Sequence, residues 1–302
     1  MNPQLDTGTS TPSAGCLLCG DELLGAWRLR GKFAAGAMSE VYLAAPQQAD
    51  DLESPAYVAK VLRPEWHRSR IALHLFQREA KVAATVANAH VISILDAHIQ
   101  TPPYYVVMPR LEGTTLRDQL RPDRQLPLAA TLWVARQVAE GLAALHEAGW
   151  VHGDIKPSNL FVSPAGHVTL LDLGYCRSLQ ELASVGQRPI VGTLNYLAPE
   201  AFTMSASADA RSDFYSLGVV LYEMLTGRLP FEGRNPAEVA EMQRQGVPDR
   251  LRCLAPLVPR SVVDLVRSMM AKEPLRRPQS ARELIARLVR LEIESLASRI
   301  PA

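Results

Sequence analysis

The sequence contains too few cysteines to be held together by disulfide bonds. Only Cys16, Cys19, Cys176 and Cys253 occur among 302 residues, far fewer than a disulfide framework of this size requires. No apolar run approaches the about 18 residues of a membrane-spanning helix. Residues 1–13 lack the basic start and apolar stretch of a secretory signal. We therefore expect a cytoplasmic protein with reduced thiols and no membrane span.

Neither sign of charge predominates. Lysine and arginine total 32 residues and aspartate and glutamate 31, which leaves a formal net charge of +1. This balance argues against the broad basic field of a nucleic-acid-binding or membrane-surface protein, so we expect no nucleic-acid partner. The 47% of hydrophobic residues is enough to bury a large core in a chain of this length.

The spacing of apolar residues changes near residue 113. Before it, strand-like runs dominate and one helical segment intervenes at about 69–87; the runs are 27–33, 39–45, 56–62, 91–99 and 104–111. We therefore predict an α+β chain with a small β-rich part over residues 23–110. A larger, mainly helical part is predicted over residues 111–297. Residues 1–22 are predicted to form a flexible tail.

The second part begins with a long helix. Residues 128–149 have apolar side chains at helical spacing, and Gly149 is placed to end the helix. A short hairpin is predicted next, with the turn residues "SPAG" between its strands. Everything after Pro199 is predicted to be helical. The last helix begins at a capping box formed by Ser280 and Glu283.

A polar loop with the sequence "VHGDIKPSN" separates the long helix from the hairpin. Asn159 precedes the first hairpin strand and Asp172 follows the second, and adjacent strands lie about 5 Å apart. The two side chains could therefore share one divalent cation, since Mg²⁺ prefers oxygen ligands. Asp154 would then be free to accept a proton from an incoming hydroxyl group.

A lysine and a glutamate occupy otherwise apolar positions earlier in the chain. Lys60 interrupts the strand "YVAKVL", and Glu79 lies on the apolar face of the following helical segment. A buried, unpaired carboxylate is costly, so Glu79 needs a cation, and Lys60 is the natural candidate. The pair would hold the lysine toward nucleotide phosphates, and the alternative is an ion pair that only stabilises the fold.

These motifs, together with "GTLNYLAPE" at 192–200 and "SDFYSLGVVLYEMLTG" at 212–227, resemble the Hanks-type protein kinases of bacteria. The resemblance covers about residues 27–292. It implies the bilobal protein kinase fold, with a small antiparallel β-rich N-lobe that binds nucleotide. The larger helical C-lobe would carry catalysis and substrate binding.

The resemblance also implies roles for individual residues. Lys60 would contact phosphates with Glu79 as its partner, Asp154 would be the catalytic base, and Lys156 would lie near the transferred phosphoryl group. Asn159 and Asp172 would hold Mg²⁺, with Mn²⁺ as an alternative. The ATP-contacting residues would be Ala34, Gly36, Ser39, Val41, Val58, Lys60, Met108, Pro109, Leu111 and Phe161.

Further residues of the resemblance would support this site. Glu200 would pair with Arg277 and brace the substrate-side loop. Asp213 would support the catalytic loop, and the alternative for Asp213 is a simple helix N-cap.

The implied function is that of a serine/threonine kinase, which transfers the γ-phosphate of Mg-ATP to hydroxyl groups of protein substrates or of the chain itself. Lys156 and the "GTLNYLAPE" segment are similar to serine/threonine kinases rather than to tyrosine kinases. The alternative is a pseudokinase, a nucleotide-binding scaffold without catalysis. The sequence assigns neither the protein substrate nor the oligomeric state.

The sequence departs from the family at two places. The family's glycine-rich loop keeps only its central glycine, Gly36, with Ala34 and Ser39 in place of the others, so we expect weaker ATP binding or a stiffer loop. Gly153 stands where most regulated kinases carry an arginine that grips a phosphorylated residue. We therefore expect activity to depend little on phosphorylation between Asp172 and Glu200, where Ser178, Ser184 and Thr193 are the candidate positions.

The C-x-x-C pair formed by Cys16 and Cys19 is the remaining motif. Zinc needs four ligands, so a Zn²⁺ ion at these two cysteines would have to be shared within a dimer. A redox pair is less favoured because no βαβ pattern surrounds the motif. The favoured interpretation is two partly buried thiols that pack against the β-rich part.

Overall fold

The computed structural model describes residues 22–49, 55–183, 193–202 and 209–297. These residues form two compact units. The first ends at Ser69 and also includes Asp96–Arg110, and the second comprises Arg70–Leu95 and the described residues from Leu111 onward. The predicted tail, with Cys16 and Cys19, lies outside the described residues except for Glu22. The predicted lobe boundary at residue 110 stays a prediction.

The first unit is built on an antiparallel sheet. Its strands, in chain order, are β1 (Leu23–Leu24), β2 (Trp27–Ala35), β3 (Ser39–Pro46), β4 (Tyr57–Leu62), β5 (Asp96–His98) and β6 (Tyr105–Pro109). In the sheet they follow the order β1-β2-β3-β4-β6-β5. The strands predicted from the first three apolar runs correspond to β2, β3 and β4 and are confirmed.

One face of this sheet forms the core of the first unit. Alternate residues of a strand point to opposite faces, and the buried residues Tyr42, Ala59 and Val107 come from three neighbouring strands. The indole of Trp27 donates to the Asp96 carboxylate at 2.7 Å, which ties β2 to β5. The opposite face of the sheet therefore carries the residues that precede and follow these core residues in each strand.

The strand predicted over residues 91–99 is wrong for most of its length. Only Asp96–His98 is a strand. The backbone just before it forms hydrogen bonds with the hairpin of the second unit instead. Ile92 N–H donates to the Leu170 carbonyl at 3.0 Å, and Leu170 N–H donates to the His90 carbonyl at 2.8 Å. An apolar run alone does not distinguish these two uses of the backbone.

The second unit is mainly helical, as predicted. Its helices in the described residues are α1 (Arg70–Thr85), α2 (Leu116–Gln119), α3 (Leu128–Glu147), α4 (Leu179–Ala183), α5 (Ala210–Thr226), α6 (Pro236–Gln245), α7 (Leu251–Leu254), α8 (Arg260–Met269) and α9 (Ala281–Ala297). Its short strands are β7 (Thr114–Thr115), β8 (Trp150–Val151), β9 (Leu160–Val162), β10 (Val168–Leu170) and β11 (Arg177–Ser178). Among the described residues, no helix is long and apolar enough to cross a bilayer.

Helices α3 and α5 form the centre of the second unit. Every residue of α5 from Asp213 to Thr226 is buried, as expected for a helix that is apolar on all sides. Helix α3 packs against α5, α9 and β10. Gly149 follows α3 with a φ of 81°, so the predicted helix end is confirmed.

The predicted hairpin is formed by β9 and β10. Leu160 pairs with Leu170 and Val162 with Val168, and β7 pairs with the other edge of β9. The hairpin therefore places Asn159, at the end of the polar loop, near Asp172, which follows β10.

The capping box predicted for α9 is half formed. Ser280 Oγ accepts from Glu283 N–H at 3.1 Å, as predicted. The Glu283 carboxylate, however, accepts from Gln279 N–H at 2.8 Å rather than from Ser280 N–H. The glutamate therefore caps the chain one residue earlier than the motif predicts.

Candidate active site

The polar loop between β8 and β9 holds a buried carboxylate, Asp154, which is 3% exposed. Its Oδ2 atom accepts from Asn159 Nδ2 at 2.9 Å and lies 2.6 Å from Lys156 Nζ. Its Oδ1 atom has a long contact, 3.4 Å, with Thr193 N–H. The ammonium group of Lys156 and the amide NH2 group of Asn159 can only donate hydrogen bonds. Asp154 is thus held as an acceptor beside a cation.

Asn159 and Asp172 lie at the ends of the paired strands, as the hairpin predicted. Leu171 N–H donates to the Asn159 carbonyl at 2.9 Å. Asp172, the next residue in the chain, is therefore close to Asn159. Asp172 has a φ of 61°, in the left-handed region, which costs an ordinary residue about 1 kcal/mol. Strain of this kind is concentrated at functional sites.

The residues at the hairpin fit a divalent cation that phosphate oxygens help to bind. Asn159 uses Nδ2 toward Asp154, which leaves its Oδ1 atom as an oxygen ligand. In the part of the chain that the structure describes, no group of three or more His, Cys, Asp or Glu side chains could hold a metal ion. A site with only two protein ligands takes its remaining ligands from water or phosphate oxygens.

Asp213 supports the backbone of the polar loop from α5. Its carboxylate accepts from His152 N–H and Gly153 N–H, both at 2.9 Å, and contacts His146 Nε2 at 2.8 Å. Burial alone would raise the pKa of Asp213, but the hydrogen bond and charge of His146 lower it below its ordinary value. The carboxylate therefore stays ionised and fixes the start of the loop.

The simple N-cap interpretation of Asp213 is wrong. The N-cap of α5 is Asp209, whose side chain accepts from Arg211 N–H at 2.8 Å. Asp213 lies one turn further into the helix, where its carboxylate reaches the neighbouring loop instead.

Glu200 and Arg277 form a buried, two-pronged ion pair. Arg277 Nη1 and Nη2 lie 2.6 and 2.7 Å from the two carboxylate oxygens of Glu200. Ser212 Oγ also donates to Glu200, at 2.7 Å. The predicted pair is confirmed, and it ties the segment after residue 193 to α5 and to the turn before α9.

Two polar clusters of the same segment were not predicted. Tyr196 donates to Glu223 Oε2 at 2.7 Å, and Arg117 Nη2 lies 2.9 Å from Glu223 Oε1. Gln243 Nε2 donates to the Asn195 carbonyl at 2.5 Å. Glu223, a charged residue within the apolar run of α5, is the sequence signal that could have revealed the first cluster.

Five of the predicted nucleotide-binding residues share one face of the first unit's sheet. Paired residues of antiparallel strands lie on the same face, and the pairs are Ala34 with Val41, Val41 with Lys60, and Val58 with Met108. Since Val58 and Lys60 are two residues apart, these pairs belong to one surface. The shared face opposes the core, and the nucleotide role of its residues stays a prediction.

The other predicted nucleotide-binding residues are distributed over both units. Gly36 and Ser39 form the turn between β2 and β3, where Gly36 N–H donates to the Ser39 carbonyl at 2.8 Å. Pro109 ends β6 in the first unit. Leu111 and Phe161 belong to the second unit.

Lys60 and Glu79 belong to different units. Lys60 lies in the middle of β4 and is partly exposed, while Glu79 is 4% exposed on α1. Their predicted ion pair stays a prediction.

Comparison with known proteins identifies similar chains. The family model described as "Protein kinase domain" matches residues 27–288. PrkC, a serine/threonine-protein kinase of Bacillus subtilis, is 30% identical over 271 residues, which are 89% of this chain and 41% of PrkC.

Two further relatives are more similar in sequence over comparable lengths. PknB of Mycobacterium leprae is 36% identical over 264 residues, covering 85% of this chain and 41% of PknB. Pkn2 of Myxococcus xanthus is 36% identical over 279 residues, covering 89% of this chain and 33% of Pkn2. Both are named serine/threonine-protein kinases. The chain thus spans about two-fifths or less of the length of these three relatives.

Proposed function

Because this chain belongs to the protein kinase family and is similar to bacterial serine/threonine kinases, we propose that it transfers the γ-phosphate of ATP to protein substrates. The acceptors are serine or threonine hydroxyl groups, on other proteins or on the chain itself. The proposed location is the cytoplasm, where ATP is present.

The observation that carries this proposal is the arrangement around Asp154. A carboxylate held by Lys156 and Asn159 is suited to accept the proton of an acceptor hydroxyl group. In the proposed reaction the hydroxyl oxygen forms a bond to the γ-phosphorus, the bond from that phosphorus to ADP breaks, and the proton passes to Asp154. Lys156, 19% exposed at its side chain, neutralises charge near the transferred group.

Asn159 and Asp172 would hold the divalent cation, for which we propose Mg²⁺ with Mn²⁺ as a substitute. When bound, such an ion neutralises phosphate charge and orients the phosphates for in-line transfer. Lys60 and Glu79 complete the proposed phosphate-binding set, and the shared face formed by Ala34, Val41, Val58 and Met108 would contact the nucleotide.

The competing function is a nucleotide-binding scaffold without catalysis. Only the replacement of two loop glycines by Ala34 and Ser39 favours it. The buried contacts of Asp154 with Lys156 and Asn159 have no purpose in a scaffold, because a fully apolar loop would be cheaper to bury. The kinase is therefore the better-supported function.

The proposed function is tested by γ-phosphate transfer from labelled Mg-ATP to the protein itself and to one acidic and one basic acceptor protein. We expect label on serine or threonine, and its loss in Asp154→Asn and in Asp172→Ala. Asp209→Asn is the matched control, because it removes a charge from the same unit outside the proposed site. Transfer that is absent from the wild type, or unchanged in both site variants, would overturn the proposal.

A further inference from the structure

Exposed arginines gather on three neighbouring segments of the second unit. They are Arg121, Arg124, Arg228, Arg250 and Arg252, which we call the arginine surface. Arg121 and Arg124 follow α2, Arg228 follows α5, and Arg250 and Arg252 lie at the start of α7. None of these side chains belongs to the candidate active site.

Backbone hydrogen bonds hold the first segment on the end of α5. Asp123 N–H donates to the Gly227 carbonyl at 3.1 Å, and Leu126 N–H donates to the Met224 carbonyl at 2.8 Å. Gly227 has a φ of 72°, and a Cβ atom there would lie 2.6 Å from Arg124 N. Only glycine allows so close an approach, so Arg124 and Arg228 are brought together by the fold.

The third segment is fastened to the other two. Gln125 Nε2 donates to the Leu254 carbonyl at 2.8 Å, and Tyr222 donates to the Asp249 carbonyl at 3.3 Å. These bonds place Arg250 and Arg252 beside the turn that carries Arg124. The backbone that carries the arginine surface is therefore held in place, which reduces the backbone entropy lost when a partner binds.

The charge of the arginine surface is only partly neutralised. Asp123 pairs with Arg228 at 2.5 Å, and Asp249 and Glu232 lie near enough to Arg228 to act on its charge. These three carboxylates act on Arg228, which is one of the five arginines. Across the described ranges, Arg124, Arg250 and Arg252 have no carboxylate partner.

The arginine surface is connected to the candidate active site through a short series of contacts. Glu223, beside Met224 in α5, accepts from Tyr196 at 2.7 Å. Tyr196 follows Thr193 by three residues, and Thr193 N–H contacts Asp154 at 3.4 Å. These buried contacts link the backbone near Asp154 to the part of α5 beside the arginine surface, so both belong to one continuous part of the second unit.

We propose that the arginine surface binds an acidic segment of the protein substrate, several residues away from the phosphorylated serine or threonine. This inference rests on the proposed function and adds a substrate class to it. An acidic protein segment fits better than single-stranded nucleic acid, because residues 121–125 and 249–257 contain no aromatic side chain on which bases could stack. Leu257, 96% exposed on the loop after α7, offers an apolar contact beside the charges.

The test compares two peptides that share one serine acceptor. One carries a run of glutamates several residues from the serine, and the other carries glutamines at the same positions. We expect the wild-type protein to bind the glutamate peptide about tenfold more tightly at low salt, the size expected of three exposed ion pairs. The preference should shrink at about 0.5 M salt, where such pairs are screened.

Charge-reversal variants assign the preference to these arginines. Arg124→Glu, Arg250→Glu and Arg252→Glu in one protein should abolish it, since these arginines have no partner to lose within the described part of the chain. The matched control combines Arg267→Glu, Arg282→Glu and Arg290→Glu, which reverse exposed charges on α8 and α9 and should keep the preference. In transfer assays the KM of the glutamate peptide should rise while kcat stays unchanged.

Peptide binding is measured by fluorescence anisotropy, which needs no phosphate transfer, so the proposed function and this inference fail separately. A site-specific readout is the alkylation of Cys253, which is exposed between Arg252 and Leu254. The glutamate peptide should slow this alkylation, located by mass spectrometry. Equal binding of both peptides, or an unchanged preference in the triple variant, would overturn the inference. Tighter, arginine-dependent binding of an oligonucleotide or of anionic lipid vesicles would also overturn it.

Discussion

At the scale of single residues, the position of a carboxylate in its helix decides what it does. Asp209 and Asp213 are four residues apart on α5, yet the first caps the helix and the second binds the polar loop. Three donors converge on the buried carboxylate of Asp213. Removing its charge leaves polar groups unsatisfied in the interior, which is costly.

We therefore predict that Asp213→Asn lowers the free energy of unfolding by about 2 kcal/mol and strongly reduces phosphate transfer. An asparagine amide keeps one acceptor oxygen and replaces the other with an NH2 donor group, although two backbone N–H groups and His146 face this carboxylate. Urea denaturation and transfer assays measure the two effects. Asp209→Asn keeps a good N-cap residue, so it should change both quantities little. An Asp213→Asn protein with wild-type stability and activity would contradict the supporting role of this residue.

The sequence predicted individual residues well where a motif fixes them and poorly where distant segments meet. The Glu200–Arg277 pair came from the family resemblance. The contact of Arg117 with Glu223 joins residues 106 positions apart, and no local pattern encodes a partner at that separation. The arginine surface was not predictable for the same reason, because its segments are adjacent only in the folded chain.

At the scale of elements, a buried ion pair joins the segment before α5 to the turn before α9. Arg277 is fully buried at its side chain and Glu200 nearly so. Breaking one partner of such a pair leaves a buried charge, whereas replacing both with neutral groups is far less costly.

Arg277→Met should therefore lower the free energy of unfolding by about 3–5 kcal/mol. Adding Glu200→Gln should restore a large part of that loss, because the uncompensated carboxylate is removed. Chemical denaturation of the two variants and the wild type measures the difference. A double variant that is less stable than Arg277→Met alone would contradict this explanation.

A second ion pair holds the segment after Asp172 against α1. Arg78 lies 2.6 Å from Glu181 and donates to the Cys176 carbonyl at 2.8 Å. Glu181 also accepts from Ser178 N–H at 3.0 Å. The Glu181 carboxylate is thus bound by an arginine in the way that a phosphate group would be. Gly153 has no side chain that could bind a phosphate on this segment.

We predict that Arg78→Glu lowers transfer activity about fivefold to tenfold through repulsion from Glu181, and that adding Glu181→Arg restores it. Treatment with a phosphatase, and Ser178→Ala, should leave activity nearly unchanged. Steady-state transfer assays on these proteins provide the comparison. Ser184 lies outside the described residues, so Ser184→Ala tests the sequence-based expectation alone. Activity that requires phosphorylation despite an intact Arg78–Glu181 pair would contradict the prediction.

The elements themselves were largely predictable because their causes are local. Periodicity and Gly149 define α3, and turn residues define the hairpin. The strand predicted over residues 91–99 was mostly wrong, because its apolar residues pack in the interior while its backbone forms hydrogen bonds with β10. The capping box predicted for α9 was only half correct, because the Glu283 carboxylate can accept from either of two adjacent backbone N–H groups.

At the scale of the whole molecule, stability depends on pH through Lys272, a partly buried lysine that has no carboxylate partner among the described residues. Lys272 Nζ donates to the Gln243 carbonyl at 2.7 Å and lies 4.2 Å from the centre of the Phe231 ring. Burial, reinforced by the charge of Arg277, lowers the pKa of Lys272 to about 8 from its ordinary 10.5.

Between these two values the unfolded chain binds a proton at Lys272 and the folded chain does not. The free energy of unfolding should therefore gain a positive contribution as pH rises through this window. Lys272→Met should remove the contribution, and Lys81→Met, an exposed position on α1, should keep it. Urea midpoints measured from neutral to alkaline pH give the comparison. Parallel profiles for the wild type and Lys272→Met would contradict the prediction.

In the proposed function, Asp154 makes this chain a catalyst and not only a nucleotide-binding protein. The most direct test measures ATP affinity and phosphate transfer side by side in the wild type and in Asp154→Asn. We predict that both proteins bind Mg-ATP with similar affinity and that only the wild type transfers the γ-phosphate to serine or threonine. A wild-type protein that binds ATP but transfers no faster than Asp154→Asn would contradict the claim and identify a scaffold.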